Sequence, residues 1–149
     1  MSKKTKDVTV STKTVTANKI MCNLVRQFGV DSEKEINGVR FYIDKDHDIW
    51  ILISRFVMRN SELQKRFAQL SIKYNDDVKN PEYVKASNVA FIETCVKGWN
   101  NICGDDGEEI EFTTDKAVEI LMQTPDLLEV LFKFALSEDN YRLDDAIKN

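Results

Sequence analysis

Two short stretches place enough carboxylates together to suggest chemistry. "GDDGEEIE" carries Asp105, Asp106, Glu108, Glu109 and Glu111 within seven residues. "DKDHDIW" sets Asp44, Asp46 and Asp48 in alternation around His47, the chain's one histidine. The first could gather a divalent cation, and the second has the opening rhythm of a calcium loop. A calcium loop of the EF-hand kind needs Gly at its sixth position and a bidentate Glu at its twelfth. Those places hold Ile49 and Arg55, so a polar hairpin loop is the expected reading. In "GDDGEEIE" the Asp106-Gly107 pair before an alternating stretch is itself a turn signal, because glycine takes positive φ without steric cost. The sequence offers no second carboxylate cluster to complete a cage.

Other chemistries lack their parts. A catalytic triad would have to use His47, and nothing near it resembles a nucleophile elbow. Cys22, Cys95 and Cys103 form no Cys-x-x-Cys pair and no zinc-ligand spacing, so free buried thiols are expected. There is no Gly-x-Gly-x-x-Gly and no Walker loop. The sequence therefore predicts no catalytic residue, no metal and no cofactor. Trp50 and Trp99 could stack on a base or sugar, but both lie in apolar runs and are expected in the core.

The elements around these stretches suit one domain of 149 residues. Hydrophobic residues make up 42%, enough for a real core, while five Gly and two Pro favour helices over a many-stranded sandwich. Residues 1–16 read as a basic tail containing "SKKTK", residues 17–137 as the globular unit and 138–149 as a polar tail. Thr16 would cap a helix over about 17–28, with Ile20, Met21, Leu24, Val25 and Phe28 on one face and Gly29 as a left-handed cap. Residues 38–56 predict a β-hairpin whose second run, Ile49 to Ile53, is apolar on both faces.

Asn60 or Ser61 starts a helix with Leu63, Phe67, Leu70 and Tyr74 in one stripe. Asn80-Pro81 starts the longest helix, about 20 residues by the spacing of Val84, Phe91, Cys95, Trp99 and Ile102. A short strand or arm over Glu109–Phe112 follows the acidic turn. Thr113 and Thr124-Pro125 open the last two helices. The fold class is α+β, mostly helical. It comprises an N-terminal helix, a hairpin, and a bundle of about four helices interrupted by a short strand or arm.

Charge is uneven. Residues 105–149 hold thirteen Asp/Glu against four Lys/Arg, and the remainder holds twelve against seventeen. An acidic C-terminal third argues against nucleic acid as its partner. No apolar run approaches the ~20 residues that span a bilayer, and no signal-peptide core follows the N-terminal lysines, so the expectation is a soluble cytoplasmic protein.

The order of these pieces resembles the tail assembly chaperones of tailed bacteriophages. "WILISRFVMRNSELQKRFAQL" gives a strand ending in a basic residue, then a helix. "CVKGWNNICGDDGEEIEF" gives a small residue, Trp and an acidic turn, and "FTTDKAVEILMQTPDLLEVLFKFA" gives two helices started by Thr and Pro. Gly98-Trp99, Asp105, Asp106, Gly107, Phe112, Thr113, Leu121 and Pro125 occupy places comparable to the family's pattern, from the hairpin to about residue 142. The resemblance implies a non-enzymatic protein of the host cytoplasm that binds the helical tape-measure protein, keeps it soluble and helps recruit tail-tube subunits. It also implies that some members exist in a longer, frameshifted form. The alternative class is a structural virion component, such as a head–tail connector or capsid accessory protein.

Two site expectations follow. Trp99, Asp105, Gly107, Phe112, Thr113 and Pro125 would form a structural corner that reverses the chain and packs the last helices on the Trp99 end of the long one. A partner surface would use Leu128, Val130, Phe132 and Phe134 of the last helix, which is apolar almost all round. The competing use of those side chains is contact with the N-terminal helix or a second copy.

Overall fold

The computed structural model describes residues 19–143. Six helices and a three-stranded antiparallel sheet alternate along them, an α+β fold. Two short helices come first, α1 (Leu24–Phe28) and α2 (Ser32–Asn37). The hairpin of β1 (Val39–Asp44) and β2 (Ile49–Ile53) leads into α3 (Ser61–Tyr74) and α4 (Pro81–Cys95). β3 (Val96–Asn100) precedes α5 (Thr114–Leu121) and α6 (Pro125–Leu136), and a 3₁₀ turn covers Glu138–Tyr141.

Local capping explains most helix starts. The side chains of Asn60, Asn80 and Thr113 accept backbone N–H bonds in the first turns of α3, α4 and α5. Pro81 and Pro125 stand at first-turn positions, where no N–H is missed. Thr124 departs from the expected capping role: its hydroxyl donates backwards to the carbonyls of Ile120 and Leu121, closing α5.

β2 is the central strand, which accounts for its apolar run. Phe41 and Trp99 flank Ile51 across the sheet, and Ile51 and Ile53 are buried while Trp50 and Leu52 are half-buried. β3 corrects the sequence reading. The long helix ends at Cys95; Trp99, which continued its spacing, stands with Val96 in a strand against β2, and Ile102 lies beyond that strand. At Val96 the backbone turns extended (φ −86°, ψ 113°), where a sheet edge supplies the hydrogen bonds that another helical turn would have given. The expected strand over Glu109–Phe112 reduces to one bridge, Cys103 with Glu109.

The N-terminal region differs as well. Thr16 and the basic tail lie outside the described residues, and the helix begins only at Leu24, capped by Asn23. Gly29 is extended rather than left-handed (φ −63°, ψ 142°), because Val30 goes on to bridge Arg142. A Cβ on Gly29 would sit 2.3 Å from the Val25 carbonyl oxygen. α2 was not anticipated, although its signals are present: Asp31 caps it and Gly38, at φ +101°, ends it.

The core gathers around the segment after β2, whose backbone groups are answered from four directions. The Ser54 N–H donates to the Cys95 carbonyl at 2.8 Å, that of Arg55 to Glu35 at 3.1 Å and that of Phe56 to Ala135 at 3.0 Å. The Ile53 carbonyl accepts the Tyr141 hydroxyl at 3.0 Å. That last bond revises the expected polar tail. Tyr141 is fully buried and Arg142 nearly so, and therefore the chain stays on the core to at least residue 142. Below this junction Phe56 meets Phe67, Phe91 and Phe132 at ring-centroid distances of 5.4, 6.1 and 5.0 Å.

Candidate functional site

The acidic stretch is a backbone-defined turn. The Gly107 N–H donates to the Gly104 carbonyl at 3.0 Å, the Gly104 N–H to Glu108 at 3.0 Å and the Ile110 N–H to Ile102 at 2.7 Å. Gly107 takes φ +79°. One Asp106 carboxylate oxygen accepts the Glu108 N–H at 3.0 Å, so that side chain serves the turn itself. Among the described residues no three His, Cys, Asp or Glu side chains are arranged to hold a metal ion.

The turn delivers the following arm to Trp99. The indole N–H of Trp99 donates to the Ile110 carbonyl at 2.8 Å, and the Phe112 ring meets the indole edge-on at 5.1 Å. Thr113, next in the chain, caps α5 through the Lys116 N–H. Trp99, Gly107, Phe112 and Thr113 thus lie along one reversal, which ends where Pro125 opens α6 after α5. Asp105 is exposed on the outside of the turn.

The loop around His47 is likewise held by its own polar groups. One Asp44 oxygen accepts the His47 backbone N–H, and the other lies 2.7 Å from the ring Nδ1. The Asn100 and Asn101 side-chain amides donate to the Asp48 carbonyl, pinning the hairpin tip to the end of β3.

The thiols sort by burial. Burial pushes the Cys95 thiol up to about 11, with the Ser54 hydroxyl and Lys97 opposing. A thiol so raised is protonated and unreactive at neutral pH. Cys22 and Cys103 are exposed, which corrects the expectation of buried thiols: neither lies on an element that the core covers. Titration of the native chain with a thiol reagent is expected to consume two equivalents rapidly and the third only on unfolding. Rapid reaction of all three would show that the Cys95 region opens.

One shallow groove mixes apolar and polar side chains. A groove of about 260 Å³ runs between α4 and α6, lined by Asn88, Phe91, Pro125, Leu128, Glu129 and Phe132. Its walls are side chains that the core also holds. Leu128 is 6% exposed, and Phe132 meets Phe91 edge-on at 5.3 Å. Of the other partner-surface residues, Phe134 turns inward against Phe41 at 5.3 Å, while Val130 is 46% exposed. The structure therefore divides the four: Leu128 and Phe132 form the groove, Phe134 belongs to the sheet side, and Val130 stands apart on the surface. Asn88 and Phe91 were missed as groove residues. Phe91 was visible on the helical stripe, but only the packing of α4 against α6 shows which neighbour it faces. A larger depression of about 370 Å³ lies between α2 and the start of α3, where Glu35 and Arg59 already pair with each other.

Comparison with known proteins gives a phage-derived class. A family model described as YdaY prophage protein matches residues 55–149, more than half of the chain, and the chain belongs to that family. The match begins at Arg55 and takes in α3 to α6, β3, the acidic turn and both walls of the groove. No curated protein matches the chain. No solved structure matches it. Among the described residues no helix is long and apolar enough to cross a membrane.

Proposed function

We propose that the protein is a phage tail assembly chaperone: a non-enzymatic binder that holds the tape-measure protein in solution while the tail tube assembles around it. The observation that carries this reading is the α4–α6 groove, an open trough in which Phe132, Leu128 and Phe91 lie beside Asn88 and Glu129. A long helical client has apolar faces that aggregate in water, and an amphipathic helix laid in such a trough covers them. Membership of a prophage family supports the setting. The order of elements, with Gly98-Trp99, the acidic turn and the two final capped helices, supports the chaperone class by its resemblance to tail assembly chaperones. In this account the carboxylates of the acidic turn shape a bend, and the work is done by apolar surface elsewhere.

Two variants test the groove. Phe132→Asp places a charge on its wall, and Asn88→Trp fills it from the rim without removing a core side chain. Both are expected to lose binding to the tape-measure protein by at least tenfold in a pull-down titration, with helical content preserved by circular dichroism. Undiminished binding by folded Asn88→Trp protein would exclude this groove as the client site.

A further inference from the structure

The two ends of the described chain are clasped together. The Asp31 N–H donates to the Tyr141 carbonyl at 2.8 Å, and the Leu143 N–H donates to the Gly29 carbonyl at 3.2 Å. Between them Val30 bridges Arg142, whose guanidinium lies 5.2 Å from the Phe28 ring. Lys34 Nζ donates to the Arg142 carbonyl at 3.0 Å. An arm ending at Asp31 and a strap over Glu138–Leu143 thus form a short antiparallel pair.

Tyr141 carries the strap's hold on the core. The residue is fully buried, its ring meets Phe134 at 6.3 Å, and its hydroxyl donates to the Ile53 carbonyl at 3.0 Å. Arg142, the strap's other buried residue, takes its ionic partners with it. Its Nη2 pairs with Glu138 at 3.1 Å and its Nη1 with Asp139 at 2.8 Å, both on the strap. Those pairs survive when the strap lifts, and the guanidinium regains water. Glu138 also faces Arg55 at 3.8 Å, a contact Arg55 can lose because Glu35 holds it at 2.5 Å. The Asn140 amide donates to the Phe134 carbonyl at 2.9 Å and ties the base of the strap to the end of α6. Neither α1 nor α2 contains a buried residue, so little apolar burial opposes loss of the arm's pairing. α2 itself stays on the core through Glu35, whose backbone carbonyl accepts the Arg55 N–H.

The geometry points to a latch: withdrawal of Tyr141 lifts the strap from Ile53, unpairs the arm from Leu143 and bares the Phe134 face beneath the tyrosine, while the sheet and α3–α6 stay folded. Such sub-global openings arise where few buried apolar contacts hold a segment. A load on either end of the described chain then acts on the same socket. The latch is independent of what the protein binds.

Native-state hydrogen exchange of the full chain tests this, read amide by amide by NMR in urea below the unfolding transition. Asp31 and Leu143 are expected to exchange through one shared opening, faster than the β2–β3 ladder amides that wait for global unfolding. Trp99→Phe weakens the fold away from the latch. It should accelerate the ladder and leave Asp31 and Leu143 unchanged. Tyr141→Phe keeps the ring and removes the bond to Ile53, so it should accelerate Asp31 and Leu143 together by about threefold to tenfold. Equal acceleration of all these amides by Trp99→Phe would overturn the latch, because clasp and core would then open only as one. A Tyr141→Phe variant with Asp31 or Leu143 unchanged would overturn it too, since the tyrosine would not be what holds the pair.

Discussion

Trp99→Ala is expected to destabilise the protein by about 3–5 kcal/mol, the range for removing a large aromatic side chain from a packed site. Three losses combine. The indole leaves a void beside Phe112, whose ring meets it edge-on. The Ile110 carbonyl loses its donor at 2.8 Å. The β3 position that pairs with Ile51 loses its side chain over the sheet. Urea unfolding followed by circular dichroism reads the sum. Trp99→Phe separates the parts, since it keeps most of the ring and loses the hydrogen bond, worth about 1 kcal/mol. An unchanged midpoint for Trp99→Ala would show that the reversal does not depend on this corner.

The second large effect is expected at Glu35, on α2. Its carboxylate accepts Arg55 Nη1 at 2.5 Å and also pairs with Arg59, and the Glu35 and Arg55 side chains are only 14 and 11% exposed. Glu138 offers Arg55 a weaker contact at 3.8 Å. Glu35→Ala strands the Arg55 guanidinium in a poorly hydrated place. Breaking a buried pair from one side costs about 3–5 kcal/mol. Replacing both partners with methionine should recover most of that loss, because the desolvation of both charges is removed together. The Arg66–Glu93 pair serves as a control: at 31 and 35% exposure it should contribute under about 1 kcal/mol. Equal losses at Glu35 and Glu93 in the same denaturation assay would contradict this account of the α2 junction.

The sequence made some of this legible and hid the rest for physical reasons. Helix starts were readable because capping is local: Asn60, Asn80-Pro81 and Thr113 act within four residues of themselves. The hairpin was readable from alternation, and the turn at Gly107 from its Asp-Gly pair. β3 was hidden, since Phe91, Cys95 and Trp99 recur every four residues and satisfy a helical stripe as well as they satisfy a strand joined to a helix. The choice between them is made by the open side of β2, a partner more than forty residues away. The Tyr141 anchor was hidden for the same reason, because its carbonyl acceptor lies on Ile53. Of the four α6 residues expected at a partner surface, Leu128 and Phe132 line the groove, whereas Val130, read as surplus with Phe132, and Phe134 lie elsewhere. Asn88 and Phe91 join the groove only through helix packing.

The central claim is that this chain works by covering apolar surface on a helical client. The most direct measurement is the soluble fraction of the cognate tape-measure protein, expressed alone and together with this protein. The account predicts an aggregated client when it is expressed alone and a soluble complex of the two, isolable by gel filtration, when they are co-expressed. A client equally soluble in both cases, or one that stays aggregated despite abundant folded partner, would contradict it.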